Sequence, residues 1–160
     1  MKVNFDALSK DSRIWIYQAD RKLSKSETEE ILIKGGDFIE QWTAHGSNLQ
    51  GAIAIFYDQF LVLGVDENFN EASGCSIDAS VHFLKSLEQN LKINFFDRYK
   101  VAFKENDSVF LENFSNIKES IKAGKIASEF KTFNNHITSK AEFDDSWITE
   151  VGQSWMSKYF

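Results

Sequence analysis

The only cysteine in the chain, Cys75, stands in the turn Ser73-Gly74-Cys75-Ser76-Ile77-Asp78. A polar stretch precedes it and an apolar period of helical spacing follows. That places Cys75 at or just before a helix start, where unpaired N–H groups and the helix dipole favour a thiolate or a bound anion. A cysteine so placed could act as a nucleophile, with the N–H groups holding an anionic intermediate. Asp78 and His82 lie one turn apart on the same helix and can pair i to i+4, which would orient the imidazole. Cys75 and His82 are separated by about two turns, roughly 10 Å, so they cannot touch. His45 is therefore the better candidate base, and a carboxylate at Asp78 would oppose thiolate formation. A structural reading stands beside this one. In it Cys75 is a small buried hydrophobe, Gly74 serves a turn, and Ser73 or Ser76 with Asp78 caps the helix. Ligand contacts, if a ligand binds, are expected from Ser73, Gly74 and Ser76 and from the polar turn residues Asn134 and Asn135 near His136.

Other chemistries lack their patterns. His45, His82, His136 and Cys75 supply ligand types for zinc, but their spacing matches no finger, ribbon or HExxH arrangement, so no metal or other cofactor is expected. A P-loop needs glycine, four residues, then Gly-Lys-Ser/Thr. Here Gly124-Lys125 is followed by Ile126, and Glu119 stands where the first glycine belongs. The net charge of -6 disfavours a polyanion partner, and no RNP-like run occurs, so nucleic acid is not expected as a partner. No charge-free apolar run is long enough to cross a bilayer, and the start has no signal-like apolar core. With its lone cysteine, the chain is expected to be cytoplasmic and free of membrane partners.

These residues must be positioned by a framework built without proline, from 15 Phe, 4 Trp and an aliphatic complement, in 160 residues. That length predicts one domain over 1–160, with a core at about 12–104 and a C-terminal extension at about 105–160. Arg13 to Gln18 alternates as a strand. Ser26-Glu27-Thr28-Glu29 reads as a capping box, opening a helix that His45-Gly46 ends. Gly35-Gly36 inside that helix marks close packing on a sheet, or a kink. Ala52 to Tyr57 and Phe60 to Val65 form a hairpin around Asp58-Gln59, and Ile77, Val81, Leu84, Leu87 and Leu91 mark a second helix. Tyr99 to Phe103 pairs with Ser108 to Leu111, and a short helix from Ser115 stops at Gly124. Phe130, Phe133, Trp147 and Trp155 then predict a strand or two wrapped onto the domain.

The fold class predicted is α+β, a ferredoxin-like βαββαβ core with an added β-hairpin, short helix and C-terminal extension. In the strand order 4-1-3-2, the end of the first helix and the start of the second share an edge, which makes His45 and Cys75 neighbours. Trp15, Tyr17, Phe56, Tyr57, Tyr99 and Phe103 fall on strands whose second face the helices leave uncovered. They are open to stacking on bases, to the C-terminal extension, or to a second subunit in a homodimer.

Arg13-Ile14-Trp15-Ile16-Tyr17-Gln18, Gln41-Trp42-Thr43-Ala44-His45-Gly46, Ala72 to Asp78 with Ser80-Val81-His82-Phe83, and Phe133-Asn134-Asn135 together resemble a small bacterial family whose members often carry the label ABC transporter ATPase. The likeness covers nearly the whole chain. The label implies a P-loop, a signature motif and a Walker B aspartate, none of which occurs in this sequence, and the resemblance brings no catalytic residue with it. The family's final Ser-Trp is commonly followed by His, whereas Ser154-Trp155 is followed here by Met156. Two functions are left open: a non-enzymatic binding or interaction domain for an unidentified small molecule or protein, and a thiol-dependent enzyme using Cys75.

Overall fold

Alternating β-branched and aromatic residues form the first strand, β1 (Arg13–Gln18), as their period of two requires. Helix α1 (Lys25–Glu40) follows, in a computed structural model that describes all 160 residues. Its cap is Ser24 rather than Ser26. The Ser24 hydroxyl accepts from the Glu27 N–H at 3.1 Å, and the Glu27 carboxylate accepts from the Ser24 N–H at 2.9 Å. The helix also ends earlier than the His45-Gly46 signal implies. Trp42 turns inward, 3 % exposed, and its indole N–H donates to Ser76 O at 2.8 Å. His45 and Gly46 instead form the turn of a small hairpin, β2 (Thr43–Ala44) and β3 (Ser47–Asn48), with φ of 53° and 77°. Positive φ at both central positions is what a two-residue hairpin turn demands.

The next hairpin joins β4 (Gly51–Phe56) to β5 (Phe60–Val65). The first sheet has the order β1-β5-β4, with β5 antiparallel to both neighbours, so β1 and β4 run parallel and α1 is the crossover between them. Gly35 packs against β4, where an added Cβ would collide with Ile53 Cδ1. Helix α2 (Gly74–Leu91) lies on the same face, but its buried stripe is Ser76, Ser80, Phe83, Leu84 and Leu87, one position from the Ile77 and Val81 line. Two serines can face the core because their hydroxyls bond within the helix, Ser76 Oγ to Ser73 O and Ser80 Oγ to Ile77 O. Their small size brings α2 close to Trp42.

The remaining elements are β6 (Lys100–Glu105), β7 (Ser108–Asn113), α3 (Ile117–Lys122), β8 (Lys131–Phe133), α4 (Lys140–Ser146) and β9 (Ile148–Glu150). Tyr99 to Phe103, expected beside β1 as a fourth core strand, contributes instead to a second antiparallel sheet of order β7-β6-β8-β9. The tight turn at Asn106, φ 54°, favours local pairing with β7, and Phe103 then packs with Ile117, Ile121, Ile126, Val151 and Met156. The architecture is thus mixed α+β, with four α-helices and three small antiparallel sheets. No helix is long and apolar enough to cross a membrane.

The second face of the first sheet is not an open aromatic platform. Trp15 and Tyr17 point to the helical side and pack on its cluster, while Ile14, Ala52 and Val62 on the other side are covered by Phe5, Leu8 and Phe143. Trp147, 3 % exposed, joins the two halves, with its ring within 5.6 Å of the rings of Phe56, Phe60, Phe133 and Phe143. The N-terminal Phe5 and Leu8 and the C-terminal extension's Phe143 and Trp147 therefore cover that face.

Candidate functional site

Displacement of β6 into the second sheet leaves the outer edge of β1 without a partner strand, and a cleft lies there. The odd-numbered residues of β1 turn their backbone groups to β5, a parity continued by the Ala19 N–H donating to Gln59 O. The even-numbered residues face outward. Ile14 N–H donates to Thr138 O at 2.9 Å and Asp20 N–H to Asn94 O at 2.9 Å, so both ends of the edge are capped. Between them the backbone groups of Ile16 and Gln18 have no protein partner and stand at the wall of a cleft of about 360 Å³.

A relay of neutral groups holds that wall. The Trp147 indole N–H donates to Asn135 Oδ1 at 3.0 Å, Asn135 Nδ2 to Gln18 Oε1 at 3.3 Å, and Gln18 Nε2 to Lys100 O at 2.9 Å. Each amide has its orientation set by the next. Lys100 Nζ donates to Asp20 O at 3.0 Å and has no carboxylate in ion-pair range. Arg98 and His136 are exposed at the rim and likewise take part in no ion pair, and Asp97 is the one carboxylate in the lining. Phe96 and Tyr17 supply an apolar wall, their rings 5.6 Å apart in an edge-on arrangement. Burial pushes the Tyr17 phenol above its ordinary pKa, against a smaller opposing pull from Ser80, so Tyr17 stays a neutral wall at physiological pH.

A second, more open depression of about 460 Å³ contains His45, Ser73, Cys75 and Ser76 beside Trp42. The shared edge of the two helices puts His45 and Cys75 on one surface. Cys75 is exposed, not a buried hydrophobe. Ser73 caps α2 by accepting from Ser76 N–H at 3.2 Å, while Ser76 Oγ accepts from Ser73 N–H at 2.7 Å, so both serines are engaged in the cap, and Gly74 is the first helical residue. Asp78 and His82 are exposed, lie outside this depression, and form no hydrogen bond with each other. No group of three His, Cys, Asp or Glu side chains converges as a metal-holding set.

Of the residues marked out in the sequence, Asn135 lies in the cleft and Asn134 directs the adjoining loop, its Oδ1 accepting from the His136 N–H at 3.1 Å. Gln18, Arg98 and the Ile16 backbone were not marked out. Gln18 carried a weak signal as a polar residue ending an apolar strand. The other two carried none, because their importance follows from which strand is absent beside β1. No family model, curated protein or solved structure matches the chain.

Proposed function

We propose that this chain is a non-enzymatic, cytoplasmic binding module whose ligand seats in the cleft beside β1. The observation that carries the reading is the Trp147–Asn135–Gln18–Lys100 relay, which holds amide groups in place along an unpaired strand edge. Binding sites combine apolar walls with a few convergent, preset polar groups, and a cleft of about 360 Å³ is of ligand size. The amides at its wall are neutral and hydrogen-bonded, which suits recognition rather than proton transfer. We read the core as a ferredoxin-like variant: β1, α1, β4, β5 and α2 keep the split βαβ order, and the place of the fourth strand is given over to the cleft. The likeness to the bacterial family labelled ABC transporter ATPase fits this reading, since Ile16 to Gln18 and Asn135, within the segments that carry it, line the cleft.

The experiment is a small-molecule fragment screen by NMR, following the side-chain amide signals of Gln18 and Asn135. Fragments that bind should shift both sets together, and Asn135→Ala should weaken them. A screen in which no fragment moves either residue removes the proposal.

A thiol-dependent enzyme is the second reading, favoured by the exposure of Cys75 beside His45. It requires the alkylation rate of Cys75 to show an inflection well below the free-thiol value of about 8.5. A rate that climbs only through that value eliminates it.

A further inference from the structure

We infer that the occupant of the β1 cleft is the carboxyl-terminal end of an extended peptide from a partner protein, an inference that rests on the cleft being a binding site. An unpaired strand edge presents alternating N–H and C=O groups, and the ligand that matches this repeat is another extended backbone. Ile16 and Gln18 offer such groups on the outward side of β1, with Phe96 and Tyr17 beside them as an apolar wall.

The two caps decide which part of a peptide fits. Ile14 is tied to Thr138 and Asp20 to Asn94, so a strand running along the whole edge would have to pass both. From Ile14 to Asp20 is about 20 Å at roughly 3.3 Å per residue, enough for a short chain end of about three residues. Charge decides which end. Arg98 and Lys100 have no carboxylate partner, His136 stands next to them, and Asp97 alone opposes them, in a protein whose net charge is -6. A local cationic excess in an acidic molecule selects a carboxylate, and an arginine guanidinium can grip one with two parallel N–H donors. A peptide amino terminus would meet repulsion there.

The test is an NMR titration of the full chain with acetyl-Ala-Val-Phe bearing a free carboxylate, its C-terminal amide, and forms N-methylated at each backbone nitrogen in turn. Three results are expected. The acid should shift the backbone N–H signals of Ile16 and Gln18. It should bind about tenfold or more tightly than the amide, with Arg98→Ala bringing the two together. Methylation should abolish binding at alternate nitrogens only, the signature of strand pairing. Equal affinity of acid and amide overturns the carboxylate assignment, and uniform tolerance of methylation overturns the backbone pairing. If the peptides leave Ile16 and Gln18 unmoved while other fragments shift Gln18 and Asn135, the peptide inference falls and the binding cleft stands. If no compound of any kind shifts these residues, both fall.

Discussion

Glu27 closes the start of α1 with three hydrogen bonds at once. Its carboxylate accepts from Arg21 Nη1 and Nη2 at 2.8 and 2.7 Å and from the Ser24 N–H at 2.9 Å. The Arg21 guanidinium and then the Ser24 N–H favour the ionised form, and together they lower the Glu27 pKa from 4.5 to about 2. Because the folded value lies below the ordinary one, the stabilisation is complete above about 4.5 and is lost as the pH falls toward 2. Arg21 is 42 % exposed, so solvent screens the ionic part and the cap contact dominates. Glu27→Gln should cost about 1 kcal/mol at pH 7 in urea unfolding. The gap between variant and parent should narrow as the pH falls below 4.5, and a gap independent of pH would show that ionisation plays no part. At this scale the sequence was only partly legible. A box was visible in Ser26 to Glu29, yet Ser24 stands three residues before Glu27 and offers the same pattern, and the choice fell to Arg21, whose guanidinium reaches both the carboxylate and Leu91 O.

Helix α1 carries two adjacent glycines with opposite surroundings. An alanine in place of a helical glycine gains about 1 kcal/mol of helix propensity, so the space around each decides the sign. A Cβ at Gly35 would collide with Ile53 Cδ1 in the core and sit 3.3 Å from Ile53 Cγ2. At Gly36 it would meet the flexible end of Lys2, with Nζ at 3.3 Å. Gly35→Ala should therefore lower Tm and Gly36→Ala should raise it. Pairing Gly35→Ala with Ile53→Val, which deletes the offending Cδ1, should recover part of the loss. No recovery would mean that the cost arises elsewhere. β1, α1, β4, β5 and α2 were legible as element types because their periods are strong. The end of α1 was not, since Gly46 is equally at home in a hairpin turn, and the helix ends at Glu40, just before Trp42 turns inward to donate to Ser76 O. Helix α4 was missed because its seven residues, four of them charged, present no apolar stripe of their own.

The two sheets meet at Trp147, which packs on four phenylalanines and donates to Asn135 at the cleft wall. Trp147→Phe keeps most of the ring contact but leaves Asn135 Oδ1 without its donor. We expect it to cost about 1–3 kcal/mol in guanidinium unfolding. It should also weaken ligands of the β1 cleft, since Asn135 no longer fixes Gln18. Unchanged stability and binding would show that the relay does not hold the cleft. By itself the sequence determined the α+β class, the hairpins β4-β5 and β6-β7, a helix start within the Ser73 to Asp78 turn and the proximity of His45 to Cys75. Each of those follows from a local period, from a turn, or from the right-handed crossover between parallel strands. The second partner of β6, β8 in place of β1, was decided by the tertiary structure alone. A strand with two usable edges and apolar residues on both faces pairs wherever the whole core is best filled, and here Phe103 joins the cluster of Met156 and Val151. That non-local choice leaves Ile16 and Gln18 unpaired at the edge of β1, and the candidate site exists because of it.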